Sequence, residues 1–460
     1  HRAFAACFSA PDEPRPPHMI PESVPNKVTR RRFIQTAGSA VAAVPLFGPR
    51  VLQSRPLETL NVACVGVGGM GRGDMGNVSS GKNVRIVALC DTDAKSLGKA
   101  AKTHGKAETF ADYRRMFDEL GKDIDAVVVA TPDHMHGAIS IAALSLGKHV
   151  YCQKPIAHNL HECRRMATLA ADNKLVTQMG TQVHSHTAYR SAVATLRTGV
   201  IGKVSEAHLW VGKSWGGSTA GRPDKKDPVP TNLDWDLWLG VAQDRPYVSK
   251  IYHPGQWRRW LDFGSGTLGD MGCHIFDPVF SALGIGAPRS VISKGPQHFR
   301  EMFAPNGDFH YEFPGTDQTT ETITFRWTDG GSEKAVAKAQ LPKGEKLPGN
   351  GSFLVGEKGV MVIPHWSTPR FYSNGEKMPV EIQTLPSKNH RHEWTDACRG
   401  EGVTSTPFSY AGPLTEAVLL GTVAGHFPGE KLNWDSAAME FDHHLANALV
   451  RRRYREGWEL

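Results

Sequence analysis

The stretch that most limits what this chain can fold into is residues 60–91, LNVACVGVGGMGRGDMGNVSSGKNVRIVALCD. Its opening apolar run, 60–67, has the length of one buried parallel strand. A glycine turn follows, Gly66-x-Gly68-x-x-Gly71, and then a helix-sized segment. A second apolar run, 84–90, ends at Asp91, twenty residues past Gly71. Strand, glycines, helix, strand and terminal acid in this order make a dinucleotide-binding βαβ unit. Gly66 permits the tight turn, Gly68 lets backbone approach a pyrophosphate, and Gly71 lets the helix pack close to the sheet. With Gly69 and Met70 they open a helix whose N-terminal amides and partial positive charge suit phosphate. Asp91 is placed to accept hydrogen bonds from ribose hydroxyls. The acid, followed by Thr92 rather than Arg, favours NAD over NADP.

The alternation then continues. Helices are expected at 94–103, 113–120, 137–146 and 160–172, and strands at 125–130, 149–152 and 175–179, giving a doubly wound parallel sheet over residues 58–180. Ligands bind beyond the carboxyl ends of such strands. Thr131-Pro132-Asp133-His134-Met135-His136 and Gln153-Lys154-Pro155 both fall there. Lys154 reads equally as a solvated charge or as a cation beside a nicotinamide that lowers the pKa of a substrate hydroxyl. From about residue 180 leucine-rich helices give way to Trp, Gly, Pro and Thr. A helix is expected at 191–198 and strands at 204–211, 320–327, 333–341, 352–356 and 359–363. Residues 181–460 therefore read as an α+β domain with a large, mostly antiparallel open sheet.

A second chemical stretch is Asp270-Met-Gly-Cys-His274-Ile-Phe-Asp277. On a helix starting near Asp270 the three polar residues share a face. They fit a helix cap with a buried histidine, a metal site, or an acid–base pair. Pro278 is expected to kink that helix. Upstream, Tyr252, His253, Trp257 and Arg258 combine flat rings with polar groups, as a sugar site does. The same residues also suit a packed loop. His184, His186, His390 and His392 are further polar candidates.

These motifs resemble the Gfo/Idh/MocA family of NAD(P)-dependent sugar and polyol oxidoreductases. The family's Glu-Lys-Pro motif matches Gln153-Lys154-Pro155, its Thr-Pro-x-x-x-His matches Thr131, Pro132 and His136, and its Asp-x3-His matches Asp270 and His274. Asp277 also fits the pattern, and the resemblance extends from about residue 59 to the C-terminus. It implies that Lys154, Asp270 and His274 are catalytic. It also implies hydride transfer on a carbohydrate hydroxyl, with the proton going to a His274 oriented by Asp270. Tyr252, His253, Trp257, Arg258, Asp277 and His184 would bind substrate, no metal is called for, and the open sheet would serve homo-oligomer assembly. Gln153 in place of Glu is expected to alter how Lys154 is held. Two alternatives stand beside this reading. One is a glycosidase or lyase working by oxidation, elimination and reduction; the other is a nucleotide-binding scaffold without catalysis.

Residues 1–57 hold eight Lys and Arg against three Asp and Glu, so they carry +5 of the chain's net +7. The high pI is thus no argument for nucleic-acid binding. Thr29-Arg30-Arg31-Arg32-Phe33-Ile34-Gln35 and the apolar 37–47 resemble a twin-arginine export signal. Met19 would begin a leader of ordinary proportions. A periplasmic or cell-envelope protein is expected, handed over by the twin-arginine machinery after folding. No free NAD pool is expected there, so the cofactor would be held tightly and recycled. No run is long enough for a membrane span. The six cysteines after the leader show no metal spacing, and no disulfide is expected.

Overall fold

A computed structural model describes residues 58–217, 221–331 and 338–459. The leader read in residues 1–57 lies outside the described residues. The first part of the fold alternates strand and helix: β1 (Leu60–Val65), α1 (Gly69–Ser79), β2 (Val84–Cys90), α2 (Ala94–Thr103), β3 (Glu108–Phe110) and α3 (Tyr113–Leu120). It continues with β4 (Ala126–Val129), α4 (Asp133–Ser145), β5 (His149–Cys152), α5 (Leu160–Asp172) and β6 (Thr177–Met179). The strands form one parallel sheet in the order β3-β2-β1-β4-β5-β6. Strand β4 is buried at every position, because helices cover both faces of a parallel sheet. The order reverses between β1 and β4, so the turns after them part and leave a crevice.

Side chains fix where the helices start. Asp93 and Asp112 accept from the Lys95 and Arg114 amides at the heads of α2 and α3. Asn159 accepts from the Glu162 amide while Glu162 accepts from the His158 amide, a reciprocal cap on α5. The head of α1 differs, for Gly68 offers no side chain and the first turn holds no acid.

The second part contains α6 (Thr187–Leu196), β7 (Val204–Val211), α7 (Trp235–Leu239) and the long α8 (Gly266–Leu283). Strands β8 (Ser290–Ser293), β9 (Asp308–Pro314), β10 (Thr319–Asp329), β11 (Gly351–Gly356), β12 (Val360–Pro364), β13 (Arg370–Ser373) and β14 (Glu376–Lys377) follow. Then come α9 (His390–Cys398), α10 (Phe408–Ala424), β15 (Lys431–Asp435), β16 (Glu440–Phe441) and α11 (His444–Asn447). The ten described strands of this sheet run β14-β13-β12-β11-β7-β10-β9-β8-β15-β16, antiparallel except for β7 with β10. Period-2 alternation on β10 turns Ile323, Phe325 and Trp327 inward, where Phe325 and Trp327 meet Phe276 and Phe280 of α8. The opposite face is mixed: Glu206, His208 and Lys338 form one ion cluster and Asp308, His310 and Arg326 another, beside a buried apolar group of Trp210, Phe353, Val362 and Tyr372.

Three local expectations change. Helix α8 begins at Gly266, one turn before Asp270. Helix α6 starts at Thr187, where His186 accepts from the Ala188 amide. Of the expected strand 333–341, residues 333–337 lie outside the described residues and the remainder is not a strand.

Candidate active site

A cleft of about 650 Å³ lies beyond the carboxyl ends of β1 and β4 and reaches across to α8. Its first half is built by the glycine turn. Gly66 has φ +82°, and a Cβ there would sit 2.7 Å from the Ala130 carbonyl carbon. A Cβ on Gly71 would sit 1.8 Å from the Gly66 carbonyl oxygen, so α1 can approach the strand only as glycine. Asp91 Oδ2 accepts from the Val67 and Gly68 amides (2.9 and 3.2 Å), and Oδ1 accepts from the Asp93 amide (2.9 Å). Burial pushes its carboxyl above the ordinary value, against those amide donors.

A dinucleotide fits this half. The uncapped amides at the head of α1 lie beside Gly68, Gly69 and Met70 on the cleft wall. Thr131 and Pro132 line the same wall, and the buried Thr131 hydroxyl has no hydrogen-bond partner among the described residues. His136 has a different task. Its Nδ1 lies 2.7 Å from the Pro155 carbonyl oxygen and its Nε2 lies 2.8 Å from that of Thr131. Carbonyls only accept, so both bonds form when the ring is an imidazolium. Despite burial its pKa is raised, through Cys152, Asp133 and the Pro155 carbonyl. His136 therefore pins the two cleft loops together at the cleft wall.

The second half centres on Asp270. Lys154 Nζ donates to its backbone oxygen (2.6 Å) and to Oδ1 (2.9 Å). Arg258 Nε donates to Oδ1 (3.3 Å), while Lys213 Nζ (2.6 Å) and Trp215 Nε1 (2.7 Å) donate to Oδ2. Burial alone would raise this carboxyl, but Lys154, Lys213 and Arg258 hold it well below the usual carboxylate range. The acid is thus a hub for cations. It does not orient His274, whose Nδ1 lies 3.1 Å from Thr181 Oγ1 instead. His274 lines the cleft, and burial followed by Lys154 keeps its pKa well below the ordinary histidine value. It is therefore neutral near pH 7. In the tautomer whose Nδ1–H donates to Thr181, Nε2 is left as a base.

The structure divides the expected substrate residues. His253, Trp257 and Arg258 line the cleft. Tyr252 does not; it is fully buried against Trp235, Trp260 and Phe263. Asp277 and His184 do not line the cleft, because Asp277 lies further along α8 from Asp270. There it meets His184 Nδ1 (2.8 Å) and accepts from the Tyr410 hydroxyl (2.7 Å). His186 caps α6, and His392 lies 3.0 Å from Ser80 Oγ on the surface. His390 is buried between Ser185 and the Met179 carbonyl. The sequence reading missed Thr181, Gln182, Lys213, Trp215, His365 and Trp366. His365 stands 5.8 Å from the His274 ring, and burial followed by Lys213 lowers its pKa to about 4.

Two family models match this chain. Residues 60–181 match one described as oxidoreductase family, NAD-binding Rossmann fold; residues 198–460 match one described as oxidoreductase family, C-terminal alpha/beta domain. The chain belongs to the Gfo/Idh/MocA oxidoreductase family. It is 25% identical over 247 residues to levoglucosan dehydrogenase of Pseudarthrobacter phenanthrenivorans, covering 52% of this chain and 55% of that protein. It is 28% identical over 209 residues to inositol 2-dehydrogenase of Salmonella typhimurium, covering 43% of this chain and 59% of that protein. The matches thus span little more than half of these relatives. The fold is similar to that of aldose-aldose oxidoreductase from Caulobacter crescentus in complex with glycerol. The TM-score is 0.54 at 18% identity, over 82% of this chain and 99% of that one.

Gln153 departs from the family's Glu-Lys-Pro motif. Its amide does not touch Lys154. Gln153 Nε2 donates to Asp74 Oδ2 (2.6 Å) inside the fold, and Arg391 of α9 donates to Asp74 Oδ1 from Nε (2.9 Å) and Nη2 (2.6 Å). Lys154 is held by Asp270, with no hydrogen bond from Gln153 among the described residues.

Proposed function

We propose that this protein is an NAD-dependent dehydrogenase acting on a hydroxyl group of a sugar, a polyol or a glycoside. The observation that carries it is the meeting, in one cleft, of the glycine turn, a Lys154 fixed by Asp270, and a neutral His274 with Nε2 unbonded among the described residues. Bound NAD supplies the hydride acceptor. The protein does the rest. Lys154 sets its ammonium against the substrate oxygen, favouring the alkoxide as the hydroxyl proton leaves. His274 Nε2 takes that proton, and Thr181 holds the ring in the accepting tautomer. Asp270 holds Lys154 in place. His253, Trp257 and Trp366 offer ring faces and polar edges to a carbohydrate.

The twin-arginine motif at 29–35 supports export, which calls for a cofactor that is retained and regenerated within each cycle. The outer face of the large sheet, with ion clusters beside apolar residues, supports pairing with a second copy. The test is to dialyse the purified protein, denature it, and identify released nucleotide by mass spectrometry, then assay sugars and glycosides. Retained stoichiometric NAD(H) with turnover of sugar pairs is the expected result. A protein that binds no dinucleotide at all would overturn the proposal.

A further inference from the structure

The substrate half of the cleft carries more positive charge than the reaction needs. Lys154, Lys213 and Arg258 surround the single carboxylate of Asp270. Asp133, on the same wall, is offset by the imidazolium of His136 three residues along α4. Counted over these residues of the substrate half, this leaves a surplus of two positive charges, whereas Asp91, Asp93 and Asp112 line the cofactor half. His274, His365 and His253, also on the wall, are all held towards the neutral form. A neutral sugar brings no charge, and the alkoxide formed during hydride transfer answers one cation. The second is left without a counter-charge in a confined site, where its attraction for an anion is enhanced.

The cations are also built forward. The Arg258 guanidinium lies 4.3 Å from the Trp257 ring centroid and 5.5 Å from that of Trp215, so the two indoles steady its plane. Among the described residues its Nη2 meets no protein acceptor, and Lys213 Nζ meets no acceptor other than Asp270. A planar guanidinium edge beside an ammonium matches a carboxylate. We infer that the substrate is a carboxylate-bearing sugar, a uronate or a uronate-containing glycoside, whose carboxylate sits between Arg258 and Lys213. The inference rests on the dehydrogenase reading for its reaction, but the anion site stands on its own geometry.

The test is calorimetric binding of D-glucuronate and D-galacturonate against D-glucose and D-galactose, to wild type and to Lys213→Gln and Arg258→Gln. NAD is titrated separately by fluorescence. The uronates are expected to bind about tenfold or more tighter at low salt, as hydrogen bonds to charged groups give. The margin should shrink in high salt and fall severalfold in each variant. Equal affinity for uronate and neutral sugar, absence of binding by both, or a preference untouched by both substitutions would overturn the anion site. Selective uronate binding without NAD binding would uphold the anion site and overturn the dehydrogenase reading instead.

Discussion

The two halves of the cleft are made in opposite ways. The cofactor half comes from one continuous segment, in which Gly66, Gly68 and Gly71 act through backbone room and Asp91 closes on their amides. The substrate half draws Lys154, Thr181, Lys213, Trp215, Arg258, Asp270, His274 and His365 from separate parts of the chain. The first half is defined by where side chains are missing, the second by where charges converge. A local device tolerates little change in shape. A convergent one can be retuned charge by charge without moving the backbone.

Four substitutions would break or sharpen that contrast. The largest effect belongs to Lys154→Ala, expected to lower kcat by about 10²- to 10⁴-fold, the range of a positioned acid–base group, while NAD affinity changes little. Steady-state rates beside a fluorescence titration separate the two, and a parallel loss of both would mean that the halves are not distinct. Gly71→Ala is the mirror case. Its Cβ meets the Gly66 carbonyl, so overpacking of about 1–3 kcal/mol should weaken NAD binding tenfold or more. Sugar binding to the unloaded protein should persist.

Asp277→Asn tests the pair that faces away from the cleft. It removes the charged partner of half-buried His184 and should cost about 1–3 kcal/mol in thermal or urea melts, with KM hardly altered. Burial opposes the His184 charge, but Asp277 lifts its pKa above the ordinary value. That stabilisation is complete below the ordinary histidine pKa and fades as pH rises through the raised one, so wild type and variant should converge in alkali. The smallest effect is electrostatic. His274 is held low by burial first, then by Lys154, with Lys213 adding to it, so the acid limb of kcat/KM should lie below about pH 6.5. Lys213→Gln removes one of the cations and should move that limb upward by less than about one pH unit.

The same contrast explains what could be read in advance. The βαβ unit was legible because its function is carried by neighbours in sequence, and all the expected helices from α2 to α5 appear. Asp270 and His274 were legible as a pair but not in their division of labour. The i, i+4 spacing shows that they share a helix face, not that the carboxylate turns to cations while the imidazole turns to Thr181. Asp277 was misplaced because a shared helix face does not show how far along α8 the cleft extends. Lys213 and Trp215 follow the end of β7, and His365 follows β12, so only the sheet order brings them to the cleft. Their one sequence signal was position just past a strand end.

The buried contact among Asp74, Gln153 and Arg391 limits how this chain can diverge from its relatives. A glutamate at 153 would place a second carboxylate at hydrogen-bonding distance from Asp74, with a single arginine to neutralise both. The two acids would have to share a proton, or a further cation would have to enter. Positions 74, 153 and 391 therefore form one unit of substitution. Restoring the family's motif at 153 alone is expected to lower stability, and a paired change of Asp74 to Asn is expected to recover it.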